Sequence, residues 1–72
     1  MSSLNPFADA WLNASSDLSY VTWLEQLHFI LLAMRQPMAE GTIYDRYRSI
    51  GGNLEYQTFA LLRDVVQQIY GL

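Results

Sequence analysis

Between Leu18 and Gln36 apolar side chains return every three or four residues, as Tyr20, Leu24, Leu27, Leu31 and Met34. That is the period of one face of an α-helix, and no extended chain could gather those groups on one side. Trp23 and Ile30 widen the band to well over roughly a third of the helix circumference. No other stretch is as long or as apolar, so the spacing predicts a central helix over 18–36 against which everything else packs.

The remaining segments read as three shorter helices. After a few residues expected to fray, Asn5-Pro6 is a helix start: asparagine accepts from the orphan amides of a first turn, and proline tolerates the first helical position. Phe7 and Trp11 lie one turn apart on this element, which is too short to stand alone. They either close one end of the core or grip a second chain. A polar break follows at 13–17, where Ser16 or Asp17 can cap the central helix; Thr22 with Glu25 is a capping box if the helix begins a turn later. Gln36-Pro37 ends it, because proline cannot continue the ladder. Thr42 with Asp45 repeats the capping pattern and opens a helix in which Ile43, Tyr47 and Ile50 share a face. Gly51-Gly52 stops that helix. Asn53 can cap the last one, expected over Leu54 to about Tyr70 with Phe59, Leu62, Val66 and Ile69 inward. The expectation is one all-α domain over 1–72: a short N-terminal helix, a long central helix and a C-terminal helical hairpin.

Size sets a limit on stability. A chain of 72 residues buries only about 60% of the surface its unfolded form exposes. With no cysteine it has neither disulfides nor thiolate metal ligands, which leaves oligomerisation as the usual support for a small core. A hydrophobic fraction of 51%, with 14% aromatic residues, exceeds what so small a core hides easily. That excess points to a partner or a self-interface. The net charge of -3, with all four basic residues arginine, argues against many phosphate contacts and hence against nucleic acid. The absence of a basic amphipathic face argues against a membrane surface. No basic region precedes an apolar run at the N-terminus, and Phe29 to Met34 is far shorter than the roughly 18–20 residues of a span. A soluble, cytoplasmic protein is expected.

Chemistry is hard to assemble from these residues. His28, the single histidine, sits three residues after Glu25, close enough to meet on one helical turn but short of a metal site or a general acid–base pair. No nucleophile motif or phosphate-binding glycine loop is present, so neither an enzyme nor a cofactor is expected. Interface-forming residue types are plentiful. Phe29 projects nearly opposite the main face of the central helix, near Leu32 and Val21, so this second stripe is covered either from within or by another chain. Tyr44 with Arg48, and Phe29 with Leu32, are therefore the candidate partner-binding patches; Phe7, Trp11 and Phe29 are the self-interface candidates.

The stretch Thr42-Ile-Tyr-Asp-Arg-Tyr-Arg followed by Gly51-Gly-Asn-Leu-Glu-Tyr-Gln-Thr-Phe resembles the helical part of some winged-helix domains. That resemblance covers less than half the chain, and it implies DNA binding with Arg46 and Arg48 at the backbone. Glu55 near the start of the second helix, and an end at Leu72 with no room for a wing, depart from it. The function expected from the whole sequence is non-enzymatic protein binding, by a homodimeric adaptor, modulator or inhibitor that occupies a surface of a larger partner. A helix-turn-helix DNA-binding regulator and a structural subunit of a filament or particle are the alternatives.

Overall fold

The computed structural model describes residues 5–14, 17–35 and 41–71. They form four helices, α1 (Pro6–Asn13), α2 (Tyr20–Arg35), α3 (Ile43–Ser49) and α4 (Tyr56–Tyr70), and among the described residues there is no strand. The chain is a small all-α bundle in which α3 and α4 each pack on α2, and α1 lies across α2 and α4. The Ser16 cap, the stop at Gln36-Pro37, the connection at 38–40 and the first four residues lie outside the described residues.

Two of the expected helix starts are built as the residues suggest. Asn5 Oδ1 accepts from the amides of Phe7 (3.0 Å) and Ala8 (3.2 Å), with Pro6 at the first helical position. Thr42 Oγ1 accepts from the Asp45 amide at 3.1 Å while Asp45 Oδ2 accepts from the Thr42 amide at 3.4 Å, closing the capping box. Two others differ. At α2 the cap is Ser19, whose Oγ accepts from the Thr22 amide at 3.2 Å, rather than Asp17 or a Thr22–Glu25 box. The reason lies in α1: Trp11 Nε1 donates to the Leu18 carbonyl at 3.0 Å and holds that residue out of the helix. At α4 Asn53 does not cap; Glu55 takes the position without a side-chain bond. Leu54 is held out of that helix by two tyrosines, Tyr47 Oη accepting from its N–H at 3.0 Å and Tyr44 Oη donating to its C=O at 2.8 Å.

The two glycines that end α3 have different reasons. Gly51 has φ +123°, a conformation that side chains with a Cβ rarely adopt. Gly52 has ordinary φ, but a Cβ there would stand 2.2 Å from the Tyr47 ring, so only glycine lets the turn lie on that side chain.

The core is Trp23, Leu27 and Ile30 of α2, Tyr47 of α3 and Phe59, Leu62 and Val66 of α4, all buried. Each such side chain contributes about 1.5–3 kcal/mol by leaving water. On α2 the buried set is Trp23, Gln26, Leu27, Ile30 and Ala33, whereas Tyr20, Leu24, Leu31 and Met34 are half-buried. At 100° per residue this inward face is turned roughly 60° from the centre of the band the apolar spacing predicts, so that Trp23, Leu27 and Ile30 lie in both. The cause is α3, which covers the side of α2 carrying Gln26 and Ala33. Gln26 is tolerated there because its Oε1 accepts from the Tyr47 hydroxyl, so a buried amide oxygen finds a partner. Arg46 Nε donates to the Ala33 carbonyl at 3.3 Å, satisfying one of the last carbonyls of α2 and placing a cation at its negative end.

Candidate protein-binding surface

The aromatic residues singled out as partner contacts are largely engaged within the fold. Phe29 is half-buried, and a Cβ on Gly51 would stand 3.4 Å from its ring. Leu32, one turn after it on α2, is 40% exposed, with Val21 at 68%. Tyr44 is half-buried against Phe59, Tyr56 and Tyr47, with ring centroids 4.9 to 5.9 Å away. Arg48 beside it is exposed, its Nη1 3.5 Å from the Leu54 carbonyl. Phe7 meets the Tyr70 ring at 6.1 Å and Trp11 meets Tyr20 at 5.2 Å, and these contacts dock α1 onto the bundle.

Besides Val21 and Leu32 on α2, the packing leaves apolar surface open along α4. Leu61 is 55% exposed and Leu12 on α1 is 70% exposed. Between α1 and α4 runs an open cleft of about 350 Å³, walled by Ala10, Ala14, Leu61 and Val65 over a floor of Trp23 and Leu62, with the side-chain amides of Asn13 and Gln68 at its edge. Leu61 also borders a second cleft of about 370 Å³ that continues toward the start of α4 past Thr58, Asp17 and Glu55. Thr58, Leu61, Val65 and Gln68 follow one another at helical spacing, so a single stripe of α4 lines both clefts. In the sequence this stripe is visible as a second apolar row, Leu61 and Val65, flanking the core row Phe59-Leu62-Val66. The spacing shows the row. It does not show that α1 stops short of covering it.

Asp17 and Glu55 line the second cleft, and no arginine lines either one. Arg46 is tied to Ala33 in α2, and Arg63 lies over the Phe59 ring, 5.9 Å from its centroid, with Asp64 Oδ1 3.7 Å from its Nη2. The cleft side is therefore apolar with an acidic edge.

Little else in the fold is reactive. Among the described residues no three of His, Cys, Asp and Glu stand together as a metal site. His28 is exposed on α2 beside Phe29. The Tyr47 hydroxyl has its pKa pushed above the ordinary 10.0 by burial, an effect that hydrogen bonding from the Leu54 backbone partly offsets. It is a structural strut between α2, α3 and the turn before α4. The indole N–H of Trp23 and Nη1 of Arg46 are buried without a hydrogen-bond partner among the described residues. Among those residues no helix is long and apolar enough to cross a membrane. Comparison with protein-family models, with curated proteins and with solved structures finds no match for this chain.

Proposed function

We propose that the chain is a non-enzymatic protein-interaction module, a small acidic helical adaptor, modulator or inhibitor that works by occluding a surface of a larger protein. The observation that carries this reading is the open apolar cleft along α4, with Leu61 exposed on its wall after the described helices have packed. Apolar surface left contiguous and rimmed by polar groups marks a place where another molecule sits. A cytoplasmic setting fits a chain without cysteine.

A two-fold homodimer belongs to the same proposal, favoured by the exposed Val21 and Leu32 on the outer side of α2. DNA binding receives less support: Arg46 is used inside the fold, which leaves Arg48 as the exposed member of the pair.

Site-specific photo-crosslinking in the native cell tests the reading, with a benzophenone side chain at position 61 on the cleft or at position 63 on the opposite side of α4. A protein that crosslinks at 61 and not at 63, and reassembles with the purified chain at fixed stoichiometry, is the expected result. Identical products at both positions, or no protein product, would overturn it.

A further inference from the structure

We propose that the α1–α4 cleft receives an amphipathic helix whose apolar face seats on Leu61 and Val65 and whose flanks carry lysine or arginine. This rests on the protein-binding reading and names the chemistry of the partner.

Two observations select this occupant. The first is the way the cleft is built. Its long walls are α-helices, whose interior N–H and C=O groups are already paired, so the cleft offers an incoming chain few backbone groups. An extended segment laid there would leave its own amides without partners in an apolar trough, whereas a helix brings its backbone bonds with it. The stripe from Thr58 to Gln68 advances about 1.5 Å per residue, roughly 15 Å in all, which matches some three turns of a docked helix. The cleft volume of about 350 Å³ falls at the lower end of the about 300–1,000 Å³ typical of binding sites. Large aliphatic or aromatic anchors fit such a depression, with the amides of Asn13 and Gln68 placed to bond polar groups beside them.

The second observation is charge. Asp17 and Glu55 line the second cleft, which meets the α1–α4 cleft at Leu61. Asp64 projects from α4 between Leu61 and Gln68, and Asp9 lies one turn before Asn13 on α1; both are exposed. Of the arginines, Arg63 covers Phe59 and stands 3.7 Å from Asp64, offsetting part of that charge, while Arg46 and Arg48 belong to α3 and Arg35 ends α2. A partner helix with acidic flanks would meet carboxylates on both sides of the groove, and one with basic flanks would meet opposite charge.

The test uses three synthetic peptides with the purified full chain. One is a 14-residue leucine–lysine helix, with leucine at positions i, i+3, i+4 and i+7. The second has glutamate for every lysine, and the third has a central proline. Binding is followed by fluorescence anisotropy and mapped by amide chemical shifts. The expected result is saturable binding of the leucine–lysine peptide, with the largest shifts at Ala10, Leu61 and Val65. The glutamate and proline peptides should bind about tenfold or more weakly, the first through charge and the second through loss of the helix. Leu61→Gln, an exposed change whose fold is checked by circular dichroism, should weaken binding about tenfold. Asp17→Asn with Glu55→Gln should weaken it about three- to tenfold and flatten its salt dependence.

Absence of binding at about millimolar peptide, equal affinity for the lysine and glutamate peptides, or shifts centred on α3 would overturn the proposal. Competition between the leucine–lysine peptide and the partner crosslinked at position 61 separates the two readings. A partner that binds the chain whatever the peptide concentration, and is indifferent to Leu61→Gln, leaves protein binding standing and removes the helix-in-cleft inference.

Discussion

Replacing Tyr47 by phenylalanine should be among the most damaging conservative changes in this chain, although it removes a single oxygen. That hydroxyl accepts from the Leu54 amide at 3.0 Å and donates to Gln26 Oε1, and both Tyr47 and Gln26 are buried. Tyr47→Phe thus leaves two polar groups without partners, each costing about 1–3 kcal/mol, for a total of about 2–6 kcal/mol. A chain of 72 residues has roughly 4–11 kcal/mol of stability altogether. At about 4–8 °C per kcal/mol for a domain this small, the thermal midpoint should fall by roughly 10–50 °C. The assay is urea denaturation followed by circular dichroism, for Tyr47→Phe, Gln26→Leu and the double variant. Gln26→Leu in the phenylalanine background removes the orphaned acceptor, so the two changes together should cost at least about 1 kcal/mol less than the sum of their separate effects. A loss below about 0.5 kcal/mol for Tyr47→Phe, or strict additivity in the cycle, would refute the reasoning.

The same hydroxyl sets a pH dependence. Its folded-state pKa lies above the ordinary 10.0 because burial disfavours the phenolate, so its contribution is complete below pH 10 and is lost as pH rises through the folded value. Stability measured by urea titration should decline in that alkaline window, and Tyr47→Phe should remove this part of the decline. Gly52→Ala drives a methyl group to within 2.2 Å of the Tyr47 ring and should cost about 1–3 kcal/mol or more in denaturation experiments. Thr42→Ala opens the capping box of α3 and should cost about 0.5–2 kcal/mol, detectable as a shifted urea midpoint with unchanged slope. Leu61→Gln on the exposed stripe of α4 should change stability by less than about 0.5 kcal/mol while weakening partner binding, and a comparable loss of stability would show that Leu61 serves packing instead.

Much of the fold could be read from residues close in the chain. Asn5-Pro6 and the Thr42–Asp45 pair specify their helix starts because the bonds involved span three residues or fewer. Of the row expected inward on α4, Phe59, Leu62 and Val66 are buried as the spacing predicts, while Ile69 in the last turn is only half-buried. The candidate site was less legible. Phe29 and Tyr44 attract attention in the sequence because they are large and off the main faces. In the fold, Gly51 lies against Phe29, and Tyr44 turns to Leu54 and Phe59. Leu61 looks like a flanking residue in the sequence, and it is exposed because α1 crosses α4 without closing over it.

The sequence by itself determined that this protein is helical, roughly where its helices run and why α3 ends at a pair of glycines. Those properties depend on hydrogen bonds and steric limits within a turn or two of backbone. Tertiary structure decided which side of α2 faces inward, where α2 and α4 begin, and which apolar side chains stay in water. Gln26 became a core residue because Tyr47, 21 positions away, brought it a hydroxyl. Ser19 became a cap because Trp11 held the Leu18 carbonyl. Such outcomes follow from surfaces that meet only when distant segments pack, and periodicity along a single helix carries no information about the shape of what will cover it.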